Sequence, residues 1–265
     1  MRGPAHAKLN LALVVGPRRA DGMHEVLTLL QRLDLVDEIV VEPAESTTVD
    51  GFPDDTLVRR ALAVLDAPHG WRVVIDKHIP VAAGLGGGSS DAATALRLAS
   101  AQLETPVDDQ RLHELAASVG ADVPFFLRTG PQLASGVGAT LEPAVLPQGF
   151  VACLLLPDGT AKTSTRAVYE AIDARGGAEG YAARVDAFRL ALAHIRVPRD
   201  LAGLPPNDLA RSAHAAALLA EGAFRADVSG AGPVVYGLFE ERAAAELACA
   251  ALSRLGRTCV AGPAW

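Results

Sequence analysis

An α+β fold, layered rather than regularly alternating, follows from three observations on these 265 residues. The second half reads strand, several helices, strand, helix, strand, which is not the rhythm of a doubly wound sheet. Strand-like runs rich in β-branched residues are divided from amphipathic helical patterns by Gly- and Pro-rich turns. Half the residues are hydrophobic, enough to bury a sizeable core in one large domain or two ordinary ones.

The elements follow in order. Residues 9–15 form a short apolar strand interrupted by Asn10 and preceded by Lys8. Lys8 and Asn10, two apart, share one strand face, either as a solvated edge or as ligand contacts. Residues 16–24 are loop, with Gly16, Pro17 and the Asp21-Gly22 pair. Residues 25–33 fit strand or helix equally, and Ile39, Val40 and Val41 place a strand over 37–42. After a polar, turn-rich segment at 43–55, Leu57, Ala61, Val64 and Leu65 share one face of a helix over 56–65. Residues 71–79 form the strand that feeds a glycine-rich stretch. Ala92, Leu96, Ala99 and Leu103 then mark the buried stripe of a helix starting at Ser89. Another helix covers 109–119, with Gly120 as its C′ residue. Asp122 sits in the bend that follows, ahead of an apolar strand, as a turn former or a functional acid. A hairpin is expected over 134–141. Pro143 and Pro147 mark a linker at 143–149, which divides the chain into domains 1–148 and 149–265. Beyond it come a strand at 150–156, a loop at 157–164, helices at 165–175 and 181–195, and an Ala-rich helix ending near Gly222. Ser229-Gly230-Ala231-Gly232 is a second glycine turn, either a plain hairpin or a ligand contact. A strand at 234–239, a helix at 240–255 and a strand at 257–260 close the chain.

The stretch Pro80-Val81-Ala82-Ala83-Gly84-Leu85-Gly86-Gly87-Gly88-Ser89-Ser90-Asp91 carries the strongest chemical signal. Four glycines within residues 84–88 remove the Cβ atoms that would hold a ligand off the backbone. Ser89 and Ser90 are expected to cap the following helix, whose free N–H groups and positive dipole end bind phosphate without a basic side chain. No lysine follows in the Walker position, and the third glycine of a dinucleotide fingerprint would fall on Ser89.

Composition sets the remaining limits. Lys and Arg number 24 against 31 Asp and Glu, a formal charge of −7, which argues against a general nucleic-acid binder. Cys153, Cys249 and Cys259 show no metal-ligand or disulfide spacing and read as reduced core residues. The first eight residues contain no apolar h-region, and no apolar run is long enough for a membrane span. No nucleic-acid or membrane partner and a cytoplasmic location are therefore expected.

Ala7-Lys8-Leu9-Asn10, Ala20-Asp21-Gly22-Met23-His24, the glycine stretch from Gly84 to Ala93, Gly120-Ala121-Asp122-Val123-Pro124, Asn207-Asp208-Leu209 and Ser229-Gly230-Ala231-Gly232 stand in one order. That order and spacing resembles the GHMP kinase superfamily over essentially the whole chain. Within it, the match is to kinases that phosphorylate a hydroxyl of a cytidine-diphosphate-linked sugar alcohol. The resemblance implies an N-terminal domain like ribosomal protein S5 and a ferredoxin-like C-terminal domain, with ATP and substrate meeting in a cleft. It implies that Pro80, Ala82, Gly84, Leu85, Gly86, Gly87, Gly88, Ser89 and Ser90 wrap the ATP phosphates, with Mg2+ bridging them. Ser90 would touch phosphate or metal. Asp122 would take the proton of the substrate hydroxyl, with Lys8 beside it. Asn10, His24 and Thr165 would contact substrate, and residues 230–232 would help close the site. Met23 stands where the family usually has a tyrosine that stacks on the base, and Tyr169 aligns with a second family aromatic. Ala139 replaces an acid often found after Gly138. The oligomeric state implied is monomer or homodimer. A GHMP-type kinase of another small alcohol, such as homoserine or mevalonate, and a nucleotide-binding module without catalysis are the competing readings.

Overall fold

The computed structural model describes residues 1–52, 56–160 and 164–265, the side chain of Thr165 excepted. Parts of the expected segments 43–55 and 157–164 lie outside the described residues. The chain forms two compact units: Met1–Lys8, Leu35–Val81 and Gly86–Thr129 in the first, and Leu9–Asp34, Ala82–Leu85 and Gly130–Trp265 in the second.

Strands β1 (Arg2–Arg18) and β2 (His24–Ala44) give one end to each unit. The ambiguous residues 25–33 and the expected strand 37–42 are thus one continuous strand. In the first unit, β3 (Thr48–Asp50) runs parallel to β4 (Gly70–Asp76), and β4 pairs antiparallel with β2, Val41 opposite Val73. Helices α1 (Leu57–Ala63), α2 (Gly87–Ser100) and α3 (Asp109–Val119) pack on one another, and Ile39, Trp71, Val73, Leu96 and Phe125 are buried in this unit. Asp108 caps α3, its side chain accepting from Arg111 N at 2.9 Å.

Two expectations are corrected here. Helix α2 begins at Gly87, two residues before Ser89, and its N-cap is Gly86 at φ 73° with no side-chain cap. Glycine turns the chain into the helix from the left-handed region, where a Cβ would be strained, so neither serine is needed as a cap. The segment Pro124–Leu127 is a 3₁₀ helix rather than a strand. Pro124 has the fixed φ of a first helical position and no N–H to leave unpaired there.

In the second unit, β5 (Gln132–Gly136) and β6 (Thr140–Pro143) form the expected hairpin, and β5 also pairs with the N-terminal part of β2. The elements that follow are β7 (Val151–Pro157), α4 (Thr165–Ala174), α5 (Tyr181–Ala193), α6 (His214–Ala220), β8 (Arg225–Val228), β9 (Val235–Phe239), α7 (Arg242–Leu252), β10 (Gly256–Ala261) and β11 (Pro263–Ala264). Strands in the order β10-β7-β9-β8 make an antiparallel four-stranded sheet, the ferredoxin-like layer. Helices α6 and α7 bury Leu218, Ala245, Ala248 and Leu252 against its Val235 and Phe239. Cys153 on β7 and Cys249 on α7 form a disulfide, and Cys259 is free, where the sequence pointed to three unpaired thiols. The two partners lie 96 residues apart, so spacing gives no sign of the pair.

Candidate active site

The first unit gathers the expected catalytic pair against the glycine stretch. Lys8, near the middle of β1, is 3 % exposed, and its Nζ lies 3.7 Å from Asp122 Oδ2. Asp122 keeps 40 % of its side chain exposed, so one partner is buried and the other faces solvent. Burial pulls the Lys8 pKa below its ordinary value, and the Asp122 carboxylate offsets part of that shift. A Cβ on Gly86 would stand 2.9 Å from both Lys8 Cγ and Phe126 Cζ. The bare backbone at Gly86 is therefore what lets the Lys8 stem lie against the start of α2.

The first turn of α2 offers the N–H groups of Gly87, Gly88 and Ser89, since its first internal bond runs from Ser90 N to Gly86 O at 2.9 Å. Ser90 is 1 % exposed, and among the described residues its Oγ has no hydrogen-bond partner. Pro80 is half-buried at the entrance to the loop.

The second unit holds residues 82–85. Ala82 takes φ 59°, and Gly84 φ 85°. A Cβ on Gly84 would fall 2.2 Å from Ser229 O. The turn at Ser229 is bound here directly: Val234 N donates to Ala83 O at 3.1 Å and Ser229 Oγ donates to Gly84 O at 2.9 Å. The same hydroxyl accepts from Asn10 N at 3.3 Å. Asn10 Nδ2 donates to Thr28 Oγ1 at 2.8 Å, and Thr28 Oγ1 donates to Ala12 O. Asn207, from the Asn-Asp-Leu motif, holds the turn from behind, donating to Val228 O and Gly230 O. Asn10, Ser229 and Gly84 are thus one hydrogen-bonded group, and Ser229-Gly230-Ala231-Gly232 is more than a free hairpin turn.

His24 and Tyr169 also meet in this unit, their rings stacked with centroids 4.7 Å apart. His24 is 8 % exposed, and its Nε2 is 2.7 Å from Asp173 Oδ1. Tyr169 also packs on the cluster of Leu13, Val15, Val26 and Ile172. Met23, by contrast, is 49 % exposed. Thr165 opens α4, behind a Ser164 N-cap, and its side chain is outside the described residues.

Sequence reasoning missed three groups in the first unit. Lys77 Nζ bridges Asp37 Oδ2 at 2.5 Å and Asp91 Oδ2 at 2.7 Å, and a Cβ on Gly87 would lie 3.1 Å from that nitrogen. The available signal was position: Lys77 stands three residues ahead of Pro80, and Asp91 directly follows Ser90. Asp173 was missed in the second unit, four residues after Tyr169 on α4 and so on the same helix face.

Comparison with known proteins gives the family. The model of the GHMP kinase N-terminal domain matches residues 56–130, and that of the GHMP kinase C-terminal domain matches residues 211–258. A 4-diphosphocytidyl-2-C-methyl-D-erythritol kinase of Pelobacter propionicus is 38% identical over 94% of this chain and 92% of its own. One of Deinococcus radiodurans is 39% identical over 94% and 88%. A crystal structure of 4-(cytidine 5'-diphospho)-2C-methyl-D-erythritol kinase superposes with TM-score 0.78 at 34% identity, covering 100% of both chains. A mevalonate kinase structure at 11% identity and TM-score 0.74 shares the fold. The chain belongs to the 4-diphosphocytidyl-2-C-methyl-D-erythritol kinases, a family of the two-domain GHMP kinases, which are ATP-dependent.

Proposed function

We propose that this enzyme transfers the γ-phosphoryl group of ATP to the 2-hydroxyl of 4-diphosphocytidyl-2-C-methyl-D-erythritol, a step of the non-mevalonate isoprenoid pathway. The observation that carries the reading is the buried Lys8 paired with the solvent-facing Asp122 beside the bare backbone of Gly86.

Asp122 accepts the hydroxyl proton as the bond to phosphorus forms. Its exposure leaves it open to a substrate hydroxyl. Lys8 offsets charge gathering on the transferred phosphoryl oxygens. The N–H groups of Gly87 to Ser89 and the unpartnered Ser90 hydroxyl receive phosphate oxygens. Gly84, Leu85, Gly86, Pro80 and Ala82 shape the rest of that loop. Among the described residues, no group of three or more His, Cys, Asp or Glu side chains forms a metal cage. Mg2+ would be held at the ATP phosphates, with the Ser90 hydroxyl next to it, and would supply charge neutralisation there.

On the substrate side, Asn10 and Thr165 contact the sugar alcohol and His24 contacts the cytosine. Tyr169 and Met23 supply flat or polarisable cover for that ring. The division into domains 1–148 and 149–265, a monomer or homodimer, a cytoplasmic location and the lack of nucleic-acid or membrane partners belong to the same proposal. No helix among the described residues is long and apolar enough to cross a membrane.

The test offers ATP with the cytidyl alcohol, homoserine and mevalonate in turn and follows ADP release. Turnover with the cytidyl alcohol alone is expected. Turnover restricted to homoserine or mevalonate overturns the assignment.

A further inference from the structure

The glycine loop carries no cation, yet a lysine ammonium stands against its helix. Lys77 Nζ lies beside Gly87 and is gripped by two fully buried carboxylates, Asp37 and Asp91. Its charge is not available to phosphate. One ammonium faces two acids, so the cluster sums to −1 with both ionised and to zero with one protonated, and it supplies no net positive charge. Its contribution to the loop has to be geometric.

The connectivity shows what that geometry does. Asp37, on β2, accepts from the backbone N–H groups of His78 at 2.6 Å and Ile79 at 2.8 Å through Oδ1. Its Oδ2 takes Lys77 Nζ. These contacts fix the three residues that lead into the loop. The same ammonium then reaches Asp91, the fifth residue of α2, one turn beyond Gly87. Between these fixed points the chain leaves the first unit after Val81 and returns at Gly86. The entrance and the exit of the loop are tied through one nitrogen atom, and a Cβ on Gly87, the residue whose N–H opens the helix, would lie 3.1 Å from that nitrogen. Ile79 completes the seat, since a Gly87 Cβ would meet its Cγ2 at 3.0 Å.

We propose that Asp37, Lys77 and Asp91 form a clasp of positioning residues that holds the ends of the glycine loop at the spacing at which its N–H groups bind nucleotide phosphate. The clasp rests on the reading of residues 84–90 as the phosphate loop. It touches neither nucleotide nor substrate. An ammonium with two acceptors from separate elements fixes direction better than one hydrogen bond does, and charge-assisted bonds of this kind are the strong ones. A pre-shaped loop spends no binding energy on ordering itself, so the clasp acts on affinity for nucleotide rather than on the chemical step.

The experiment uses the full-length enzyme with ADP and magnesium as the binding probe. Lys77→Met is expected to weaken ADP at least tenfold and to raise KM for ATP to match. kcat at saturating ATP should stay within about threefold and KM for the alcohol within about twofold. Lys77→Arg, which restores a donor to both acids, should recover most of the ADP affinity. In hydrogen exchange read by mass spectrometry, Lys77→Met should speed exchange of a peptide spanning 80–90 at least fivefold and leave peptides of α5 and α7 unchanged. If Lys77→Met does not fold, Asp91→Asn, equal in size, is read by the same exchange measurement and should show the same local acceleration. ADP affinity within twofold of the parent, or exchange at 80–90 unaltered, overturns the clasp. A parent enzyme that binds neither ADP nor ATP overturns instead the phosphate-loop reading on which the clasp stands.

Discussion

Two side chains of unequal exposure make the centre of the proposed site. Lys8 spends most of its surface on packing and keeps one carboxylate partner, while Asp122 keeps 40 % of its side chain exposed. Removing the charge of Asp122 separates the kinase reading from a binding module. Asp122→Asn keeps the shape and loses the proton acceptor, so turnover should fall at least about 10²-fold with ADP affinity kept. A rate near that of the parent removes Asp122 as the base. Met23 poses a narrower question. Half exposed beside the stacked His24–Tyr169 pair in sequence, it is free to cover a ring but offers no aromatic face. Met23→Tyr should lower KM for the cytidyl alcohol and leave KM for ATP unchanged, measured by steady-state kinetics. An unmoved KM for the alcohol places the base elsewhere. Lys8, Asp122, His24 and Tyr169 were all legible as residues, because each sits in a short motif. Asp173 was not, because its meaning depends on His24, which lies 149 residues away in sequence.

At the level of elements, the loop and its helix were legible in position and misread in detail. The sequence places a helix after the glycines, but two serines in a row look like caps, and a glycine in the left-handed region outcompetes them. The length of β2 was hidden for a different reason: buried on both faces over much of its course, it lacks the two-residue alternation that marks a strand. The glycines of the loop also differ from one another, and substitution should show it. At Gly84 both φ and space forbid a side chain, since the obstacle is the fixed backbone oxygen of Ser229. Gly84→Ala should cost stability by about 1–3 kcal/mol from backbone strain alone, with the steric clash in addition, read by urea unfolding. Gly88 is helical and a Cβ there meets only Leu57 Cδ1, at 3.3 Å. Gly88→Ala should therefore fold as well as the parent, the free end of the Leu57 side chain giving way to the methyl, and KM for ATP is the measurement that tests its place in the proposed phosphate loop. Equal stability losses at the two positions would contradict this division.

Over the whole molecule, the order of motifs along the chain was enough to give the superfamily, because each motif is local. What escaped was whatever is made by distant residues: the Cys153–Cys249 disulfide, the Asp37–Lys77–Asp91 clasp and the Ser229 hydroxyl shared by Asn10 and Gly84. The clasp has a consequence for stability that is global. Burial pushes the Asp91 carboxyl up to about 7, against the pull of the Lys77 ammonium, and Asp37 adds to the rise. Asp227, in the second unit, is raised by burial in the same sense, with Arg225 opposing. An acid whose folded pKa lies above its unfolded value binds more protons when folded, so stability falls as pH rises between the two values. For Asp91 that window runs from about 4 to about 7. Lys77 does not counter this, because its raised pKa keeps it charged throughout the window and alters stability only in the alkaline range. Between pH 5.5 and 8, the loss from Asp91 is on the order of 2 kcal/mol, which moves Tm by about 4–8 °C in a chain of this size. Asp91→Asn cannot ionise, so its Tm should fall less than that of the parent over the same interval. The difference between the two slopes isolates Asp91 from Asp227 and from every other titrating group, and parallel slopes for parent and variant would show that Asp91 is ionised throughout.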